Sequence, residues 1–325
     1  MWYRYCFLFI LVTLPVVSAA QLGNFDSLTS GGQQPSITLD PRFPGPGESF
    51  TATLQDYSGT VFGSQITWRY NDVDIPDGLN KRSIELTAGA AGTSNRLVAG
   101  LRTVEERTAE VSITINPIFL DIIVEPQTRV PDWYIGRALP SYTSQVNATA
   151  LLHDGTRFLD QTQLVYSWRV NQNQIDGGTI RGGNKVSFAT PRGSMPTLVV
   201  SVINLQGEMI ASRALAMPSV LPELVYYEKH ALYGLSRLSI NSSAALIGNV
   251  LTLQAEPYFL DTRVYNQPDV AEWEINGVVT NNGSSNPYEI TLSRGGASGR
   301  TLLNFHVRSL QEVLQGVEDR VMINF

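Results

Sequence analysis

Residues 66–78 read ITWRYNDVDIPDG, residues 166–178 read YSWRVNQNQIDGG, and residues 271–283 read AEWEINGVVTNNG. In each, a Trp is followed three positions later by Asn and ten positions later by Gly: Trp68, Asn71, Gly78; Trp168, Asn171, Gly178; Trp273, Asn276, Gly283. The three Trp lie 100 and 105 positions apart, a spacing of one small domain per copy.

The flanks repeat too. Before each Trp lies an apolar strand signal: Phe50, Ala52 and Leu54; Val146, Ala148 and Ala150; Val250 to Ala255. After each Gly comes a short strand (83–87, 185–189, 288–292) and then a pair of strands (96–102 with 110–116, 197–203 with 209–217, 301–307 with 320–325). Alternation is cleanest at Val111, Ile113, Ile115 and at Val321, Ile323, Phe325. A two-residue period buries one face and wets the other, as a two-sheet sandwich requires. No segment sustains a helical apolar stripe; Gln311 to Gln315 offers at most a single turn. The expected fold is all-β: three tandem immunoglobulin-like β-sandwich domains after an N-terminal signal peptide. The boundaries fall near Pro117 and Pro218, giving a signal peptide over 1–20, a flexible Gly/Ser/Gln-rich leader over 21–35, and domains over 36–117, 118–218 and 219–325. Short Pro-containing joints of this kind predict a semi-rigid rod.

Arg4, the apolar run from Cys6 to Val17 and the small residues Ser18, Ala19 and Ala20 compose a secretory signal. If uncleaved, this segment is the one expected membrane attachment; no later stretch is apolar enough to span a bilayer. Cys6 is the only cysteine, so the mature chain must hold its sheets together without disulfides. Acidic residues exceed basic ones by 29 to 23, and the basic ones are scattered, which argues against nucleic acid as a partner.

The repeated Trp reads as core, since a Trp on the central strand of a sandwich fills the space between the sheets. The turn carrying Asp72, Asp74 and Asp77 resembles a calcium loop in its oxygen spacing, but the other two copies keep its length and lose most of its acids. That makes these three Asp weak calcium candidates in a turn whose main task is to connect strands. His153, His230 and His306 fall at non-equivalent places, and no hydrolase motif such as G-x-S-x-G or H-E-x-x-H occurs. No catalytic residue, metal site or cofactor is expected, and the chain is read as no enzyme. Two features depart from the repeat. An insertion before the second strand of domain two carries Trp133 and Tyr134, which form either a binding platform or a packed loop. Domain three opens with Tyr226 and Tyr227 in a cluster reaching Gly234, a cover for the joint with domain two or an exposed contact surface.

The strings PSITLDPRFPGPGESFTATL (35–54), YSWRVNQ (166–172), YYEKHALYG (226–234) and LQAEPYF (253–259) resemble exported three-repeat Ig-like or PKD-like proteins of uncultured candidate-phyla bacteria, a group of undefined function. The chain departs from the PKD pattern, because its Trp is followed by Arg-Tyr-Asn, Arg-Val-Asn or Glu-Ile-Asn and not by Gly-Asp-Gly. The resemblance implies bacterial export and this architecture, and transfers no active site. The expected role is a non-enzymatic surface, periplasmic or extracellular interaction or scaffold protein that partners other envelope or surface proteins, a pilus or secretion apparatus among them. The alternatives are a carbohydrate-binding adhesin using Trp133 and Tyr134 on glycans, and an exported hydrolase with an inter-domain carboxylate pair.

Overall fold

The computed structural model describes residues 35–56, 61–103, 106–296 and 298–325; the expected signal segment and all of the expected leader but Pro35 lie outside these. Domain one runs through β1 (Ser36–Asp40), β2 (Ser49–Gln55), β3 (Gln65–Tyr70), β4 (Val73–Asp74), β5 (Ser83–Thr87), β6 (Asn95–Arg102) and β7 (Thr108–Ile115). It forms one sheet of order β1-β2-β5 and another of order β4-β3-β6-β7. Domain two repeats this with β8 (Phe119–Pro126), β9 (Gln145–His153), β10 (Leu164–Val170), β11 (Asn173–Arg181), β12 (Lys185–Ala189), β13 (Thr197–Asn204) and β14 (Met209–Ala216). Its sheets, β12-β9-β8 and β11-β10-β13-β14, match strand for strand.

Domain three contains β15 (Glu223–His230), β16 (Gly234–Ile240), β17 (Ser243–Ala245), β18 (Val250–Tyr258), β19 (Val270–Ile275), β20 (Val278–Thr280), β21 (Glu289–Ser293), β22 (Arg300–Arg308) and β23 (Gly316–Asn324). Two strands exceed the common plan. β16 adds an edge to β16-β15-β18-β21, and β17 pairs parallel with β23 in β17-β23-β22-β19-β20. The chain is thus three tandem sandwiches, each with its own apolar core.

The repeat acquires physical content at its Trp and its Asn. Trp68, Trp168 and Trp273 are all at most 2% exposed, and each indole Nε1 donates to a carbonyl at 2.9 Å, those of Lys81, Gly183 and Pro287. A large ring buried with its single polar atom satisfied anchors a core at no hydrogen-bonding loss. Asn71, Asn171 and Asn276 all adopt left-handed φ, at 51°, 46° and 52°, opening the turn after the Trp strand. Asn tolerates that conformation because its short side chain bonds locally. Here each Oδ1 accepts a backbone N–H of the adjoining strand, from Arg96, Thr197 or Leu302, at 2.9 Å. The Gly ten residues after the Trp is less uniform. At Gly78 a Cβ would meet the Trp68 ring at 3.0 Å and at Gly178 the Ile175 carbonyl at 2.4 Å, whereas Gly283 needs its φ of 67° and has open space around it.

Residues 311–315 form bends and a turn, while a short helix that the sequence does not announce, α1 (Thr262–Asn266), follows the second core strand of domain three, capped by the Asp261 side chain. That strand also takes its phase from Leu251, Leu253 and Ala255, leaving Val250 58% exposed. The described residues divide into two compact units: domain one up to Asn116, apart from 90–92, and a second unit that holds domains two and three together.

Candidate functional site

Within the second unit, residues 127–144 leave the end of β8 and lie against domain three before returning to β9. The contact begins as backbone. Arg129 N–H donates to Leu260 O and Phe259 N–H to Arg129 O, both at 2.7 Å, and Thr262 N–H donates to Gln127 O at 2.9 Å. Farther along the insertion, Val220 N–H donates to Pro140 O at 3.0 Å. Phe259 and Thr143 hold left-handed φ values of 60° and 68°. A bulky or β-branched residue in that region is strained by about 1–3 kcal/mol and persists only where its surroundings fix it.

Polar side chains complete the joint out of water. Asp261 and Gln315 are fully buried, as are Ser141 and Ser144. Gln315 Oε1 accepts the Asp261 N–H at 2.8 Å, while its Nε2 donates to Ser141 Oγ at 2.9 Å and to Tyr142 O at 2.6 Å, so one amide serves both domains. The Asp261 carboxylate accepts Gln145 N–H at 2.9 Å, Arg263 N–H at 2.8 Å and the Arg263 guanidinium at 2.9 and 3.0 Å. Burial works to raise its pKa, but the Arg263 side chain and the two backbone N–H groups outweigh this and hold the carboxyl below its ordinary range.

Glu256 follows the opposite course. It is 1% exposed, and burial pushes its pKa up, only partly opposed by Arg129 and Gln254. Arg129 lies 3.4 Å from the Glu256 carboxylate and stands over the Tyr265 ring at 4.9 Å, and Tyr265 stacks on Tyr288 at 4.5 Å.

The aromatic residues singled out from sequence divide. Tyr226 and Tyr227 are neighbours on β15 and so point to opposite faces of the sheet. Tyr226 enters the core of domain three beside Trp273, 1% exposed, with its hydroxyl donating to Asp319 O; its ring offers no face to a ligand. Tyr227 points outward yet is only 5% exposed, because the insertion covers it. Trp133 meets Tyr227 edge to face at 5.7 Å, and Tyr134 meets Tyr258 at 5.6 Å and Phe259 at 6.0 Å. The hydroxyls of Tyr227 and Tyr258 share a hydrogen bond at 2.6 Å. Trp133 and Tyr134 themselves are half-buried. Asp261, Gln315, Glu256 and Arg129 form the centre of this joint and were not singled out from sequence. One signal was present: Glu256 and Asp261 interrupt the apolar run AEPYFLD (255–261), where a charge must be buried with a partner.

Asp72, Asp74 and Asp77 are all exposed along a hairpin and its following turn, and among the described residues no three His, Cys, Asp or Glu side chains converge on a metal-sized site. A cavity of about 200 Å³ in domain three, lined by Thr280, Asn281, Asn282, Ser284 and Ser285, is smaller than an ordinary small-molecule site. Two of its amides are bonded within their own loop, Asn282 to Asn286 O and Asn281 to Gly283 N–H. Among the described residues no helix is long and apolar enough to cross a membrane.

No protein-family profile matches the chain, and no curated protein matches it. Among solved structures, it is similar to the three N-terminal domains of the bacteriophage RB49 Highly Immunogenic Outer Capsid protein, at 13% identity and TM-score 0.25, covering 89% of this chain and 97% of that one. It is also similar to the central fibronectin-III array of RIM-binding protein, at 10% identity and TM-score 0.27, covering 89% and 96%. A third is a Bacteroides ovatus glucan-utilization protein, SGBP-B, solved with a mixed-linkage heptasaccharide, at 12% identity and TM-score 0.23, covering 91% and 71%. At these scores the likenesses carry no argument about what this chain binds.

Proposed function

We propose that the chain is a non-enzymatic binding or scaffold protein of the cell surface or envelope, in which domains two and three act as one rigid body that spaces its partners. The observation that carries this reading is the joint itself. The acid, amide and aromatic groups that could have lined a site between these domains are bonded to one another: Asp261 to Arg263 and Gln145, Gln315 to Ser141, Trp133 to Tyr227. A hydrolytic carboxylate must reach substrate and water, whereas Asp261 and Glu256 are at most 1% exposed. The partners it calls for are other surface proteins, with export by the N-terminal segment.

The experiment is cross-linking in the native host followed by identification of the captured partner and fractionation of the cells. Capture of a defined envelope protein, with the chain in the envelope or outside the cell, supports the reading. A chain that stays cytosolic, or that turns over a glycan or peptide substrate, ends it. The glycan-binding reading has less support, since the packing of Trp133 and Tyr134 on domain three takes up part of each ring; glycan binding lost in Trp133→Ala at unchanged thermal stability would restore it.

A further inference from the structure

The end of domain three opposite its joint with domain two has a different character. β18 runs from Val250 toward Tyr258, and the joint residues Phe259–Asp261 follow its last residue, so the start of β18 lies at the far end. β15 and β18 are antiparallel, with Glu228 opposite Leu253, which places the β15–β16 turn at that same far end. Leu246 N–H bonds to Asn324 O, Arg294 N–H to Asn249 O, and Gly299 and Phe325 exchange both backbone bonds, so the loops around 246–249 and 294–300 and the end of β23 close this end as well.

Three large apolar side chains stand out from it almost bare: Leu232 at 89%, Tyr233 at 88% and Ile247 at 92% exposed, with Val250 at 58% beside them. The residues that build this end, 231–251, 275–278, 292–296, 298–303 and 321–325, contain no Asp or Glu but include Arg237, Arg294 and Arg300, all exposed. Two carboxylates border it: Glu228 on β15 lies 3.5 Å from His230, and Glu274 on β19, opposite Val279, accepts the Asn304 side-chain amide at 3.2 Å. This occurs in a chain whose net charge is -6.

We infer that this end of domain three docks on an anionic lipid bilayer, with Leu232, Tyr233 and Ile247 entering the interface and the three arginines meeting the headgroups. Protruding aliphatic residues with a tyrosine suit the boundary between headgroup and acyl chain, and flanking cations add attraction that a neutral surface lacks. The exposed arginines, with the bordering Glu228 beside His230 and Glu274 bonded to Asn304, are what select a negatively charged surface over a neutral one. The inference concerns a different surface from the joint and goes beyond the binding reading proposed for the chain; either can fail without the other.

The test uses the full chain with Cys6→Ser and Tyr233→Cys, labelled with an environment-sensitive fluorophore, and a parallel sample labelled at Met195→Cys in domain two, a position 59% exposed. Vesicles of phosphatidylcholine are compared with vesicles containing about a third phosphatidylglycerol. The expected result is a blue shift at position 233 with the anionic vesicles only, none at 195, and a vesicle affinity roughly thirtyfold lower in Arg237→Ser/Arg300→Ser, at about fivefold per arginine near the surface. An unshifted label at 233, or equal shifts at both positions or with both vesicles, overturns the inference. So does a dimer in solution that Leu232→Ser/Ile247→Ser dissociates, which would assign this end to a second copy.

Discussion

Domain two buries tryptophan in two ways. Trp168 lies on β10, 1% exposed, in a position that Trp68 and Trp273 fill identically in the other domains, down to the 2.9 Å bond from the indole nitrogen. Trp133 lies on an insertion that occurs once, half-buried, edge-on to Tyr227 of the next domain. The first makes a domain and the second joins two. A residue constant across repeats reports on what every copy must do to fold; a residue confined to one copy reports on what that copy does for its neighbour.

Trp168→Ala is expected to cost about 3–5 kcal/mol, read as a lower urea midpoint for domain two, because the cavity left between the sheets cannot collapse. At the joint, Gln315→Ala strands the Asp261 N–H and the Ser141 and Tyr142 groups it now satisfies. About 2–3 kcal/mol should be lost, and calorimetry should resolve separate transitions for domains two and three where the native protein shows one.

Trp133→Ala should cost less, about 1–2 kcal/mol, since it removes a half-exposed ring and one edge-to-face contact. It should lower the melting temperature of the joined unit while leaving that of domain one unchanged.

The two buried carboxylates respond to pH in opposite directions. Glu256 has a raised pKa when folded, so the folded state binds its proton first and stability rises as pH falls from the raised value toward about 4.3. Asp261 has a lowered pKa, so its contribution is present above about 3.9 and is lost as pH falls through the folded value. Urea titrations should therefore show the joined unit gaining stability on mild acidification and losing it below pH about 4, with Asp261→Asn flattening the acid limb. The smallest effect is expected at the turn of domain one. Asp72→Gly relieves a φ of 63° and should change stability by no more than about 0.5 kcal/mol, and added calcium should leave the melting temperature of domain one unmoved.

Much of the sandwich was legible because its signals are local. Phe50, Ala52 and Leu54 alternate with Thr51 and Thr53, and the structure buries the first set and exposes or half-exposes the second. The left-handed turn could be read from Asn71, Asn171 and Asn276, although the bond each makes to the neighbouring strand could not. The joint was illegible for a different reason. Trp133 and Tyr227 stood out as departures from the repeat, but nothing in their spacing says that they touch. Tyr226 and Tyr227 look alike in sequence, and one strand phase separates a core ring from a joint ring. Gln315 gives no sequence signal, because a buried glutamine looks like any loop glutamine until its partners are known.

The repeat, the strand period, the indole at the centre of each core and the impossibility of an intrachain disulfide with Cys6 the only cysteine can all be read from the residues alone, because their signals are local. The tertiary structure alone decided that domains two and three are fused. That fusion rests on pairs separated by 116 and 174 positions, Gln145 with Asp261 and Ser141 with Gln315. Such pairs form only after both sandwiches exist, when burial removes water as the competing partner and makes each bond obligatory.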